Sequence, residues 1–257
     1  PICNRLLSLS LLVLSAISVL LFVTDGLDYG DIEADLFRLP EGAAPDQISM
    51  VRGVDSVVLT RNGGSWKVNG LFEADDRRVS LFFAALTRVK PRQVTGGAVS
   101  DTVASLISAS GVQVSVKQEG SALLAFTSAG EAQGMRTWFI PAGEKASFQM
   151  VIPGYRTWLH SLFDPRPNSW RSRRLFDFNW RNFVSLEVMF PADPSAGFRV
   201  ANENGMFGVT GLATDTSRLN SYLDAVSLAE ANEILTLSPG AIDSLQGLPA
   251  AAVISVK

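Results

Sequence analysis

The feature that most narrows the fold is a repetition. Val114–Lys117 reads VSVK and Ile254–Lys257 reads ISVK, an offset of 140 residues (257 − 117 = 140). The same offset lays Asp75 on Asp215, Arg78-Val79 on Arg218-Leu219, Phe82 on Tyr222, Phe83 on Leu223 and Leu86 on Val226. One spacing kept across two separate blocks implies one supersecondary unit used twice. Each copy reads as an alternating strand (VDSVVLTR from Val54, FVSLEVMF from Phe183), a turn, and a returning strand, SWKVN or GFRVAN. An aspartate then precedes a helix, and its carboxylate can accept the free amides of the first turn. Val79, Phe82, Phe83 and Leu86 give that helix a core-facing stripe. Short helices near Val103–Ile107 and Ile242–Leu245 lead to the VSVK and ISVK strands. The first copy continues through ALLAFTS and RTWFIPA, whereas the second stops at Lys257. The second unit is therefore expected to be incomplete and the chain a fragment, because a sheet ending there exposes an apolar edge.

Leu6–Val23 carries no charge. As a helix it would span about 27 Å, enough for a hydrocarbon core. Arg5 before the run and the acidic DGLDYGDIEAD after it predict an N-terminus inside and the rest outside. The competing reading is a cleaved signal peptide, but no small-x-small site follows Phe22, Val23 and Thr24. The expected placement is a single pass through the inner membrane, contacting lipid through residues 6–23, with the body in the periplasm.

A hydrophobic content of 47% with a net charge of −3 predicts a packed core and argues against a dedicated nucleic-acid binder. One cysteine, Cys3, excludes an internal disulfide, and one histidine, His160, disfavours a histidine metal centre. The chain has no G-x-S-x-G, H-E-x-x-H or C-x-x-C. Asp164 lies four residues after His160 and could orient its ring on a helix, the weak hydrolase reading. The glycine pairs at 63–64 and 96–97 do not continue into phosphate loops. No catalytic, cofactor or metal residues are assigned, and the chain is read as non-enzymatic.

Ser169–Phe183, SWRSRRLFDFNWRNF, interleaves four arginines with five aromatic rings. Such a pattern suits a single-stranded nucleic-acid groove, but guanidinium groups also cover aromatic surface at a domain junction. Trp170, Arg171, Arg173, Arg174, Trp180 and Arg181 are accordingly expected to form an interdomain or partner surface, not to bind nucleic acid. Upstream, Tyr155, Trp158, Leu159, Leu162 and Phe163 have helical spacing, stopped by Pro165 and Pro167.

Several of these pieces carry a resemblance: VVLTRNGGSWKVN, FEADDRRVSLFFAAL, PGYRTWL, WRSRRLFDFNWRNFVSLEVMFP and RLNSYLDAVS, together with the N-terminal apolar run. The chain resembles the membrane-anchored family called domain of unknown function forty-three forty, in its Bacteroidetes-type form. LPEGAAPDQISM before Val54 departs from that pattern. The resemblance implies an envelope accessory role associated with gliding-motility-type ABC transporters, a transporter subunit as partner, and no catalytic residues.

The expected architecture is α+β: an N-terminal transmembrane helix followed by two tandem α/β repeats, the second incomplete. Its parts are an anchor (1–24), a juxtamembrane spacer (25–53), a first repeat (54–152), an aromatic and arginine junction (153–182) and a truncated second repeat (183–257). The expected role is an accessory or scaffold of a transport complex. The alternative is a periplasmic ligand- or glycan-binding module using exposed aromatic rings.

Overall fold

The computed structural model describes residues 14–15, 35–95, 101–144, 146–203 and 206–257. The chain divides into two compact units, Pro1–Trp170 and Arg171–Lys257.

In the first unit, β1 (Gln47–Arg52), β2 (Asp55–Asn62), β3 (Ser65–Val68) and β4 (Phe72–Glu73) form a meander. Strict alternation fixes its register: Ile48 and Met50 on β1, and Val57 and Leu59 on β2, are buried on one face. Gly63 turns β2 into β3 at φ +62°, a conformation that a Cβ disfavours. Helix α1 (Asp76–Leu86) follows, then β5 (Lys90–Thr95), α2 (Asp101–Ser110), β6 (Val112–Gln118), β7 (Ser121–Glu131), β8 (Arg136–Pro141) and β9 (Ser147–Val151). All nine strands join one antiparallel sheet in the order β4-β3-β2-β1-β6-β7-β8-β9-β5.

The main core gathers one face of this sheet with Val79, Phe82, Ala85 and Leu86 of α1, and with Phe37, Leu39, Phe163 and Trp170. Val103 of α2 packs with Trp138 and Ile140 in a separate cluster. β8 is thus buried on both faces, Phe139 in the main core and its neighbours under α2, which accounts for its unbroken apolar run.

The second unit contains β10 (Ser185–Met189), β11 (Phe198–Glu203), β12 (Met206–Val209), α3 (Thr216–Ser227), α4 (Pro239–Gln246) and β13 (Val253–Val256). Its sheet order is β12-β11-β10-β13, matching β3-β2-β1-β6 position for position. The register row Val68–Leu59–Ile48–Val116 crosses the first sheet, and Val209–Val200–Leu186–Val256 crosses the second. Both helices after the meander open on an aspartate cap. Asp75 Oδ1 accepts from the Arg77 and Arg78 amides at 3.0 and 3.2 Å, and Asp215 Oδ1 from Ser217 and Arg218 at the same distances.

This correspondence corrects the strand assignment. The equivalent of Ser185–Met189 in the first unit is Gln47–Arg52, not the strand after Val54, and GFRVAN matches β2 rather than β3. QISMVR, placed in a juxtamembrane spacer, is a central strand, and Phe37 and Leu39 from the same stretch are core residues. The α+β expectation of two tandem α/β repeats behind a transmembrane helix is also corrected. Among the described residues the fold is mostly antiparallel β, with thirteen strands in two sheets and few helices. Among the described residues no helix is long and apolar enough to cross a membrane. The run at 6–23 lies outside the described residues except for Leu14 and Ser15. The single-pass inner-membrane anchor and the periplasmic placement built on it are therefore withdrawn. The helix expected over Tyr155–Phe163 reduces to one 3-10 turn at Leu159–Leu162, with Tyr155 exposed.

The paired caps give a symmetric expectation. Asp75→Ala and Asp215→Ala should each cost about 0.5–2 kcal/mol. The loss should appear in hydrogen exchange of α1 for the first variant and of α3 for the second.

Candidate functional site

The six residues of the arginine–aromatic block fall in both units. Trp170 is fully buried in the first unit. Its indole N–H donates to the Asp164 carbonyl at 2.6 Å, its edge meets Phe82 at 5.9 Å, and Arg78 lies 4.8 Å over its ring. The other five belong to the second unit. Arg171 is half-buried. Arg173 donates to the Asn232 carbonyl at 3.2 Å, and its own carbonyl accepts the Ala231 amide. Arg174 pairs with Asp177 at 3.6 Å. Trp180 is half-exposed and tilts against Phe207 at 5.1 Å, while the Arg181 amide closes a turn onto Asn179 Oδ1. The contacts of Arg173, Arg174, Trp180 and Arg181 are local turn and strand-edge fastenings.

Asp164 anchors the turn that delivers Trp170. Its carboxylate accepts from the Arg166 guanidinium at 2.7–3.2 Å, from the Arg166 amide at 3.0 Å and from Ser169 Oγ at 2.7 Å. Burial works to raise this carboxyl, but the Arg166 and Ser169 hydrogen bonds and the Arg166 charge outweigh it and hold it at about 2.

Asp164 does not meet His160. The imidazole is buried, with Nδ1 2.9 Å from Ser128 Oγ, and the His160 amide donates to Thr137 Oγ1 at 3.0 Å. Its side chain approaches Gly130 closely, where a Cβ would come within 2.4 Å of the His160 Cβ. Burial, then the charge of Arg52, pushes the imidazole below its ordinary 6.5, against a backbone hydrogen bond at Ser110. A fully buried serine, a buried histidine and an aspartate spent on Arg166 give no reacting nucleophile and no path for a substrate. The pair fastens β7 to the segment after β9.

Of the five tryptophans, Trp66, Trp138 and Trp170 are buried and cannot stack on a glycan. A cleft of about 420 Å³ beside Trp66 and Phe83 is open and lined by Arg38 and Arg61, of which Arg38 already donates to the Thr87 carbonyl and pairs with Asp35. Among the described residues no group of histidine, cysteine and carboxylate side chains could hold a metal.

The unusual surface lies in the second unit. Helix α4 has no buried residue, and Ile242, Leu245 and the following Leu248 are exposed. Its counterpart α2 buries Val103 against Trp138 and Ile140. On β13, Ile254 is 42% exposed, whereas Val114 at the same place on β6 is 2% exposed. The difference follows from topology. β6 is covered by β7, with Val114 opposite Phe126 and Val116 opposite Leu124, and β13 has no such neighbour among the described residues. The sequence shows α4 and β13 as elements, but not their exposure, because Ile242, Leu245 and Ile254 look like ordinary core residues.

No family model, curated protein or solved structure matches this chain. The resemblance to the unknown-function family rests on the quoted motifs alone, and the gliding-motility and ABC-transporter association has no support.

Two titrations test this geometry. The Asp164 carboxylate should contribute its full stabilisation above 3.8, its ordinary value, and lose it as pH falls through about 2. The contribution is at most on the order of 2 kcal/mol, so urea unfolding of Asp164→Asn and the parent should converge near pH 2. His160 should titrate below 6.5 by NMR. Because the fold holds the ring neutral, that stabilisation is complete above 6.5 and lost as pH falls through the folded value.

Proposed function

We propose that the chain is a non-catalytic accessory or scaffold protein. The observation that carries this reading is the dispersal of its reactive side chains: the buried His160 clasps Ser128, and Asp164 is held by Arg166. The ligand- and glycan-binding alternative is disfavoured by the burial of three tryptophans, and the hydrolase by the separation of Asp164 from His160.

The chain should show no hydrolysis of ester, peptide or glycoside substrates, and His160→Gln should lower the melting temperature because it breaks the clasp on Ser128. Hydrolysis by the parent that is lost in His160→Gln would overturn the non-catalytic reading.

A further inference from the structure

The first unit keeps a cleft at a place where the second unit packs aromatic rings. The two places correspond through the backbone. The Asp46 amide donates to the Lys117 carbonyl at 3.0 Å, and the Asp46 carbonyl accepts the Arg61 amide at 2.8 Å. Val184 repeats both bonds, donating to the Lys257 carbonyl at 2.8 Å and accepting the Asn202 amide at 3.2 Å. Across the next ladder Arg61 lies opposite Trp66, and Asn202 opposite Phe207. The segment ahead of Asp46 therefore stands to Trp66 as the segment ahead of Val184 stands to Phe207.

The two segments differ in what they bring to that ring. Ahead of Val184, Trp180 and Phe183 meet Phe207 at 5.1 and 5.4 Å, and Phe178 meets Phe183 at 5.0 Å. Ahead of Asp46 the chain reads LPEGAAP, with no aromatic ring. Gly42, Ala43 and Ala44 line a cleft of about 420 Å³ whose other side is Trp66 and Phe83, themselves 5.5 Å apart. That volume is in the range of small-ligand pockets, about 300–1,000 Å³.

The cleft also carries a charge that its counterpart lacks. Directly opposed residues of an antiparallel pair share a face, so Arg61 projects beside the Trp66 ring, where the second unit has Asn202. Arg38, the other cation of the cleft, is occupied by the Thr87 carbonyl, Asp35 and Glu41. Among the described residues the exposed Arg61 guanidinium has no hydrogen bond or ion pair.

We propose that this cleft binds a small planar aromatic carboxylate, its ring packed on Phe83 and the open part of Trp66 and its carboxylate paired with Arg61. The ring would take the place against Trp66 that Trp180 and Phe183 take against Phe207, and tilted or offset ring pairs are favourable. The planar guanidinium fork matches a carboxylate in two parallel hydrogen bonds. Such a site encloses a small molecule and is unlike an exposed platform for a glycan. It goes beyond the accessory reading and does not rest on it.

The test is a titration of the full chain with indole-3-acetate and with its neutral amide, indole-3-acetamide, read from the tryptophan indole N–H signals of isotope-labelled protein. Indole-3-acetate should shift the Trp66 signal and bind at least about fivefold more tightly than the amide, as a charge-assisted pair requires. Arg61→Gln, at an exposed position, should fold like the parent and lose that preference. Ala43→Trp, which places a ring in the cleft, should block both compounds. A Trp66 signal that does not move, equal binding of the two compounds by the parent, a preference that survives Arg61→Gln, or undiminished binding in Ala43→Trp each overturns the proposal.

Discussion

Trp170 joins three otherwise independent parts of the first unit. Its ring fills the core against Phe82, its indole N–H holds the Asp164 carbonyl, and its own carbonyl takes the Asp75 amide at 2.7 Å. Asp75 is the residue that caps α1, so the start of that helix is fixed from both its side chain and its backbone. Arg78, one turn into the helix, covers the ring from above. The arrangement explains why Asp164 is held ionised: the turn it organises carries the tryptophan to its place. Loss of a buried tryptophan of this kind costs about 3–5 kcal/mol, comparable with the whole margin of a marginal domain.

The repetition was legible at the level of helices and last strands, and less so at the meander. Asp75 and Asp215 are readable because a cap has a chemical signature, a short acceptor just ahead of a 3.6-residue apolar stripe. The first strand was misplaced for a physical reason. QISMVR is short and follows a proline-rich approach, while VDSVVLTR is longer and more strongly β-branched, so composition favours the wrong partner for SLEVM. Only cross-strand register identifies Ile48 with Leu186. The helix expected at Tyr155–Phe163 failed because its spacing was met by buried residues of an irregular segment, where Leu159 and Phe163 enter the main core while His160 meets Ser128 and Thr137.

The site was less legible than the fold. The Ser169–Phe183 block drew attention by its residue types, yet its arginines close turns and its first tryptophan is core. His160 and Asp164 are close in sequence but separate in function, one clasping Ser128 and the other Arg166. Exposure is a property of what a neighbour covers, and single residues do not encode it. The informative comparison was between equivalent positions, Val114 with Ile254 and α2 with α4, and that comparison needs the sheet orders.

The two units also differ in how much they bury. The second unit's core is Phe183, Leu186, Val188, Val200, Leu219 and Leu223, with Phe178, Phe198, Phe207 and Val256 only partly covered. The first adds the β7–β9 layer, with Phe126, Phe139 and Phe148 packed around Phe37. A small domain gains little margin from a core of that size. Whatever binds the native unit and not the unfolded chain therefore raises its stability by mass action, by about 2.7 kcal/mol at a hundredfold excess over the dissociation constant.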